Sequence, residues 1–278
     1  MITYRAILDV PRDLALYLAG LLAAQRRELG TRKGRRALTP FGQAVLGLRW
    51  FRDNINIARL ARDHGISSAT AYRYLDEVTE VLSAQRPDLH EALRQAKDDG
   101  WTYVIGDGKI FSCDRVNEKI LSVKGTEIDR WHSGKTRGQG GNIQALTQPD
   151  GFPIWVSDVE PGSVHDITAA DKHVLGALHW AASQLDLPTL ADAGYQGTGA
   201  GIHTPVKRSK KHPGSPLDID NQTYNLLLRS LRALGERGFA LLVGRWRTLR
   251  RLTTSPRKIG HIVQAALVLT HHEHGRLT

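Results

Sequence analysis

The sequence contains little cysteine and no long apolar segment. Its single cysteine, Cys113, excludes an internal disulfide framework and a cysteine zinc site. A reducing compartment fits this composition, so we predict a cytoplasmic, nucleoid-associated protein. No apolar run reaches the roughly 18 residues that a membrane helix needs. The start, MITYRAILDVPRD, has no basic end followed by an apolar segment, so we expect neither a membrane span nor a secretory signal.

Acidic residues are outnumbered by basic ones. The 278 residues include 38 Lys and Arg against 28 Asp and Glu, which gives a formal net charge of +10. The basic residues concentrate in three clusters, at residues 25–36, 206–212 and 245–251. One such cluster is explained equally well as a solvated face, but three of them favour a polyanionic partner such as DNA. The length allows one large domain or two ordinary ones.

The segment IARLARDHGISSATAYRYL has the pattern of a helix-turn-helix, which we place at about residues 56–82. Ala61 supplies the small residue at the helix crossing, Gly65 tolerates the positive φ of the turn, and Ser67 caps the second helix. The core side would hold Ala71, Tyr74 and Leu75. The groove side would then present Ser68, Ala69, Thr70, Tyr72 and Arg73 to DNA. A plain helical hairpin is the alternative.

The hydrophobic period changes after Gly100. TYVIG and LPTLAD read as strands, NIQALT and FPIWVSDV flank the turn Pro149-Asp150-Gly151 as a hairpin, and DITAADKHVLGALHWAASQL has helical spacing. This order predicts an α/β fold. We therefore divide the chain into an all-α DNA-binding domain at 1–98, ending in a polar linker helix, and an α/β domain at 99–278. The apolar tail helix, RKIGHIVQAALVLTHH, is expected to pack on the sheet.

Three acidic residues stand on differently patterned segments of the second domain. Asp107 and Asp192 follow predicted strands, and Glu236 lies in a predicted helix. Separately they have ordinary interpretations: a turn, a loop cap and an ion pair with Arg232. Together, oxygen ligands from several elements are what a two-metal phosphodiester-cleaving site needs. If the two strands are neighbours, Asp107 and Asp192 share a metal.

Other features of this domain leave alternatives open. Lys135 and Arg137 lie in a glycine-rich loop that either holds phosphate or is a solvated turn. The His165-Asp166 pair is either part of a metal hydrolase site or, with better support, a loop-to-helix junction. Trp246, between two arginines, either packs in the core or stacks on an extruded base.

Several short motifs in a fixed order resemble the blocks of insertion-sequence DDE transposases, most closely the insertion-sequence-five type. They are GDGK, SGKTRGQGGNIQALTQPDG, PGSVHD, LADAGYQG, TPVKR and RALGER. Together with the N-terminal helix-turn-helix pattern, the resemblance covers nearly the whole chain. The resemblance implies an RNase H-like catalytic domain, with a mixed sheet flanked by helices, preceded by a helix-turn-helix domain. It also implies that Asp107, Asp192 and Glu236 are catalytic and bind two Mg²⁺ ions, for which Mn²⁺ is expected to substitute.

The function implied by the resemblance is binding of the ends of a DNA element, metal-dependent phosphodiester cleavage and strand transfer. The partners would be double-stranded DNA, as element ends and target, and further copies of the chain in a homodimer or higher oligomer. The expected DNA-binding residues are Ser68, Thr70, Tyr72, Arg73, Lys135, Arg137, Lys207, Arg208, Arg232 and Arg245. The sequence departs from the family pattern at Lys109, Ala193 and Val243. These departures keep open an alternative, a catalytically inactive, transposase-derived DNA-binding protein or repressor.

Overall fold

The computed structural model describes residues 7–122, 125–208 and 216–276. Its helices are α1 Arg12–Glu28, α2 Pro40–Asp53, α3 Ile57–Asp63, α4 Ser68–Ser83, α5 Leu89–Asp98, α6 Asp166–His173, α7 Leu175–Gln184, α8 Ile219–Arg232, α9 Glu236–Arg245 and α10 Ile259–Glu273. Its strands are β1 Val104–Ser112, β2 Lys119–Leu121, β3 Glu127–Asp129, β4 His132–Ser133, β5 Gly138–Thr147, β6 Pro153–Val156, β7 Glu160–Pro161, β8 Thr189–Leu190 and β9 Ile202–His203. None of the helices in these ranges is long and apolar enough to cross a membrane.

The chain divides into two compact units that are not continuous in sequence. The helical unit contains residues 7–86, 242–250 and 261–276, and the sheet unit contains residues 87–241 and 251–260. The predicted boundary between a DNA-binding domain and a catalytic domain at residues 98 and 99 stays a prediction. The division into two compact units does not show which residues bind DNA.

The helical unit begins with helices whose ends follow from their local sequence. Thr39 caps α2 by accepting a hydrogen bond from the Gly42 N–H at 3.1 Å, and Pro40 occupies the first turn. Gly47 of α2 lies against Val78 of α4, where an added Cβ would approach the valine Cγ1 to 2.7 Å. Glycine therefore allows these two helices to pack closely.

Helices α3 and α4 form a helix, turn and helix at the place that the sequence predicts. Gly65 takes a φ of +64° in the turn, and the Ser67 hydroxyl accepts a hydrogen bond from the Thr70 N–H at 3.2 Å. Ala71, Tyr74 and Leu75 are buried, as expected for the core side of α4. These local predictions are confirmed, while the role of the pair in DNA recognition stays a prediction.

The C-terminal helix differs from its expected position. We expected α10 to pack on the sheet, but its residues from 261 onward belong to the helical unit. There the Thr270 hydroxyl accepts a hydrogen bond from the indole N–H of Trp246 at 2.9 Å. Trp246 is fully buried, so its interpretation as a core residue is confirmed and stacking on an extruded base is wrong. The expected packing of α10 was wrong because the helix is apolar on most of its surface, so its sequence does not indicate which element it packs against.

The sheet unit is built on a mixed sheet with the strand order β4-β5-β1-β8-β9. Strand β5 runs antiparallel to β1, whereas β8 is parallel to both β1 and β9. Strand β6 pairs with β5 in the predicted hairpin, and Gly151 in its turn has a φ of +86°. The mixed α/β class is thus confirmed for this unit.

Helix α5 is not the polar linker that its composition predicts. Its residues Leu89, Ala92, Leu93 and Ala96 are buried in the core of the sheet unit, together with apolar residues of α6 and α7. Asp88 and Glu91 close its first turn in a reciprocal capping box. The helix is polar on average, but the apolar residues repeat at three- and four-residue spacing, which is sufficient for one buried face.

Candidate active site and nucleic-acid surface

Of the two aspartates predicted to be catalytic, Asp107 lies within β1 and Asp192 follows the neighbouring strand β8. The interpretation of Asp107 as part of a turn is wrong, because β1 continues to Ser112. In the parallel pair of β1 and β8, Ile105 is opposite Leu190. Asp107 and Asp192 each come two residues later, so both carboxylates lie on the same side of the sheet at adjacent positions. The sequence expectation that these two strands are neighbours is therefore confirmed.

The Asp107 carboxylate is held in an environment that disfavours its charge. Burial raises its pKa, and the charge of Asp192 raises the pKa further. Opposing effects come from the Gly108 N–H, which donates a hydrogen bond to Asp107 Oδ1 at 2.9 Å, and from the cations of Arg232 and Lys135. Like charges placed together in a partly buried site are a feature of functional rather than purely structural carboxylates.

Asp192 is positioned by the turn that follows β8. Its Oδ1 accepts a hydrogen bond from the Gly194 N–H at 2.7 Å and so caps a short 3-10 helix, Ala193–Tyr195. The loop-cap interpretation of Asp192 is thus correct as local structure, and it orients the carboxylate beside β1. Tyr195, in the same turn, is buried, and burial followed by the charges of Asp166, Asp107 and Asp192 raises the pKa of its hydroxyl.

Glu236 is the first residue of α9 and is exposed. Its neighbours approach the side of β1 that carries Asp107. An added Cβ on Gly235 would lie 2.6 Å from Ile105 Cγ2, and the Phe239 ring lies 5.9 Å from the ring of Phe111. Within the described residues, no three or more His, Cys, Asp or Glu side chains form a group able to hold a metal. The participation of Glu236 in a common site with both aspartates stays a prediction.

Lys109, one of the departures from the family pattern, lies on the same side of β1 as Asp107 because the two residues are separated by one position. Its ammonium lies 5.7 Å from the centre of the Phe239 ring. This geometry corresponds to a cation–π contact, which gives the ammonium an attractive partner other than the aspartate.

The carboxylates of the candidate site are suitable ligands for a divalent cation. Asp107 and Asp192 supply hard carboxylate oxygens on adjacent strands, which are the ligands that Mg²⁺ and Mn²⁺ prefer. Their mutual repulsion raises the pKa of Asp107, after the larger effect of burial. A cation bound between the two carboxylates would remove this repulsion, so the pair fits such an ion.

Lys135 and Arg137 lie in the turn 134–137 between β4 and β5. The Lys135 ammonium donates to Asp166 Oδ2 at 2.9 Å, although 61% of the lysine side chain is exposed. Arg137 is exposed and has a φ of +52°. Asp166 is a neighbour that the sequence alone did not assign to Lys135, and the charge of Lys135 also lowers the pKa of Asp107. The role of Lys135 at the site of the two aspartates stays a prediction.

The remaining predicted basic residues are distributed over both units. Lys207 and Arg208 are exposed after β9, and residues 209–212 of that cluster lie outside the described residues. Arg232, at the end of α8, acts on the pKa of Asp107, and its buried Nε has no hydrogen-bond partner in the structure. Arg245 belongs to the helical unit, where it pairs with Glu273 at 2.5 Å and with Asp9 at 3.0 Å. Its carboxylate partners would compete with a phosphate for the guanidinium.

Helix α4 presents its predicted groove-facing residues on one surface. Ser68, Tyr72 and Arg73 are exposed, and Thr70 is half-buried. The Arg73 guanidinium donates to the Thr70 hydroxyl at 3.3 Å, so it lies over the first turn of the helix. A cation and hydroxyls near a helix N-terminus suit phosphate and base contacts.

Comparison with known proteins gives one informative match. Residues 107–271, more than half of the chain, match the family model described as DDE superfamily endonuclease. The curated proteins contain no significant match. A solved structure described as a pre-cleavage Mos1 transpososome matches at 11% identity over 99% of each chain, with a TM-score of 0.20. A TM-score this low carries no argument about fold or function.

Proposed function

The chain belongs to the DDE superfamily endonucleases, and from this we propose that it is a transposase of the insertion-sequence-five type. In this proposal the protein binds the ends of a DNA element, cleaves a phosphodiester with the help of divalent metal, and joins the freed 3′-OH to target DNA. The observation that supports the proposal is that Asp107 and Asp192 each lie two residues beyond the pair Ile105–Leu190 of adjacent parallel strands.

The strand arrangement supports an RNase H-like catalytic domain. The first long strand, β1, lies between an antiparallel hairpin partner, β5, and a later parallel strand, β8. The first aspartate then lies on the first strand, the second follows a later strand reached through α6 and α7, and Glu236 begins a still later helix. This is the order that the resemblance to DDE transposases implies.

Asp107 and Asp192 would hold the divalent ions, with Glu236 completing the set. We propose two Mg²⁺ ions, replaceable by Mn²⁺, and such ions activate the attacking oxygen and stabilise the leaving oxygen. The chain itself orients the scissile phosphate. Lys135 and Arg232 act electrostatically on Asp107, so their cations are available to neutralise phosphate charge beside the two carboxylates.

DNA recognition is assigned to the helical unit. Helices α3 and α4 would act as a helix-turn-helix, with Ser68, Thr70, Tyr72 and Arg73 in the major groove. Lys207, Arg208, Arg137 and Arg245 would contact phosphates. We also propose that two or more copies act together, because transposition joins two element ends.

The experiment that tests this function is nicking of a supercoiled plasmid that carries the DNA flanking the gene. We expect cleavage with Mg²⁺ or Mn²⁺ and none with EDTA. Asp192→Asn should reduce the rate roughly a thousandfold, the scale on which loss of one electrostatic group in an active site acts. Asp186→Asn is the matched control, because Asp186 is exposed on the same unit and its positive φ suits asparagine. Wild-type rates in Asp192→Asn would exclude the proposed site.

A second candidate is a non-cutting DNA-binding protein or repressor derived from such an enzyme. The observation that favours it is Lys109, a cation on the Asp107 side of β1 at a position where the family usually has a small hydroxyl residue. The same assay decides between the two. Tight binding of the flanking DNA without metal-dependent nicking would support the repressor.

A further inference from the structure

A chain of buried polar side chains runs through the sheet unit beside the candidate active site. The Tyr195 hydroxyl donates to Gln144 Oε1 at 2.5 Å, and Gln144 Nε2 donates to Asn142 Oδ1 at 3.0 Å. Asn142 Nδ2 donates to Asp166 Oδ1 at 2.8 Å, and Lys135 donates to the other oxygen of Asp166. The chain therefore connects the turn after Asp192 with the turn that carries Lys135.

The hydrogen-bonded chain passes β1 at Gly108, the residue after Asp107. Gly108 is paired with Gln144 across the two strands, on the side of β1 opposite to Asp107. An added Cβ there would lie 2.8 Å from Gln144 Nε2, 3.0 Å from the Tyr195 hydroxyl and 3.1 Å from Asp166 Oδ1. The glycine of the Asp-Gly pair thus makes room for the polar chain directly behind the first aspartate.

The polar chain places uncharged polar side chains at positions that are almost fully buried. Asn142 is 1% exposed and Gln144 is 2% exposed. Polar groups buried at this depth stabilise a fold only when they are fully paired, and apolar residues of similar volume would pack there without that requirement. The polar residues fix the orientation of Asp166, which apolar residues could not do. Asn142 Nδ2 donates both to Asp166 Oδ1 and to the Val164 carbonyl.

Lys135 is the exposed end of this series of hydrogen bonds. Burial lowers the pKa of its ammonium, but the hydrogen bond and charge of Asp166, followed by the charges of Asp107 and Asp192, raise it overall. One exposed cation is therefore held within the field of three carboxylates. Its only direct contact among them is Asp166, so Asp166 sets where the ammonium lies.

We propose that Asp166 is a positioning residue, which holds the Lys135 ammonium beside the Asp107–Asp192 pair so that Lys135 binds a phosphate of the DNA strand entering the site. This inference rests on the proposed function, since it names the contact that orients the substrate phosphate. Asn142, Gln144 and Tyr195 support Asp166 from behind the strand.

The first test measures duplex binding without catalysis. A fluorescein-labelled DNA duplex of mixed sequence is titrated in EDTA at several salt concentrations with the wild type, Lys135→Ala, Asp166→Asn and the double variant. Each lost phosphate contact should lower the slope of log K against log salt by about 0.9. We expect this loss in both single variants and no additional loss in the double variant.

The sign of the Asp166→Asn effect makes the test sharp. Removal of a negative charge near DNA should by itself tighten binding, whereas loss of a positioning contact weakens it. Asp171→Asn is the matched control, because Asp171 is exposed on the same helix, α6, and removes the same charge. Lys172→Ala is the control for Lys135, as its side chain is also exposed and paired with a carboxylate. Tighter binding by Asp166→Asn, equal to that of Asp171→Asn, would overturn the proposal.

One of the variants separates loss of the phosphate contact from loss of folding. Lys135→Ala changes a largely exposed side chain in a turn, so it tests the phosphate contact even if Asp166→Asn lowers Tm. A wild-type salt slope in Lys135→Ala would also overturn the proposal. In the nicking assay, kcat of Asp166→Asn should fall by about 10- to 100-fold, as for other residues that orient an active-site group, and Asp166→Glu should recover part of it.

The two proposals fail in different ways. If the wild type does not nick DNA with any divalent metal, the proposed endonuclease function fails. The salt slopes in EDTA still decide whether Asp166 positions Lys135 for a phosphate, because that measurement requires no cleavage.

Discussion

Two aspartates, Asp9 in the helical unit and Asp107 in the sheet unit, lie in opposite electrostatic environments. In the helical unit, Asp9 lies between Arg52 at 2.7 Å and Arg245 at 3.0 Å, and its hydrogen bonds to them lower its pKa. In the sheet unit, Asp107 is buried beside Asp192, and its pKa is raised. Asp9 is thus paired with two cations, whereas Asp107 is kept beside another carboxylate at a cost to stability. Such a cost is typical of residues retained for function.

Two buried regions, one in each unit, also differ in their polarity. The core of the helical unit is mainly apolar, and its buried Trp246 needs one hydrogen bond, to Thr270. The sheet unit places Asn142 and Gln144 at equally buried positions in a connected chain. An apolar position such as Trp246 tolerates changes that conserve volume, while the connected polar side chains of Asn142 and Gln144 depend on every polar partner being present.

The largest stability effect is expected in the apolar core. Trp246→Ala should lower the free energy of unfolding by about 3–5 kcal/mol, because it removes a fully buried aromatic side chain. Trp246→Phe should lower it by only about 1 kcal/mol, near the value of the lost hydrogen bond. Urea denaturation measures both. Equal losses in the two variants would mean that the hydrogen bond, not packing, dominates this core.

The next effect concerns the polar chain behind Asp107. Gly108→Ala should lower the free energy of unfolding by about 1–3 kcal/mol, because the new methyl group has no room between Gln144, Tyr195 and Asp166. Gly176→Ala is the control, since an added Cβ at Gly176 on α7 has no neighbour within 4 Å. Thermal denaturation compares them, and equal Tm values would contradict the close packing around Gly108.

The raised pKa of Asp107 predicts a stabilising substitution at the active site. A group whose folded pKa lies above its unfolded value stabilises the fold when protonated, and this contribution is lost as the pH rises through the folded pKa. Above the folded pKa the wild type has lost it, so Asp107→Asn should raise Tm there, by roughly 2–4 °C for each kcal/mol gained. The gain should shrink toward pH 4 and disappear below it.

Asp9→Asn provides the opposite case for this comparison. The lowered pKa of Asp9 contributes stability above the unfolded value, which is lost as the pH falls through the folded value. Asp9→Asn should therefore lower Tm at pH 7 and have little effect in acid. Shifts of the same sign in Asp9→Asn and Asp107→Asn would refute the contrast between the two units.

The smallest effect is expected at the surface of α4. Arg73→Ala should leave Tm unchanged and lower the salt slope of DNA binding by about 0.9, as one phosphate contact is lost. Arg12→Ala, an exposed arginine at the start of α1, should leave the slope unchanged. A gel-shift titration at several salt concentrations measures both, and matching slopes would remove Arg73 from the DNA surface.

Local signals in the sequence were sufficient for many elements. Thr39 with Pro40, Gly65 with Ser67 and the Pro149-Asp150-Gly151 turn are where the structure has caps and turns. Each of these features depends on interactions within a few residues. The positions of α5 and α10 were not predictable in this way, because an apolar face shows that a helix is buried but not against which partner.

The sequence by itself determined the residue types at the site, the strands that carry Asp107 and Asp192, and the motif order that indicates a DDE enzyme. Only the tertiary structure decided that the strands leading to the two aspartates are neighbours, that Asp166 pairs with Lys135, and that Gly108 makes room for the polar chain. The physical reason is distance along the chain. Strand pairing and buried hydrogen bonds join residues tens of positions apart, and no local propensity encodes which of them will meet.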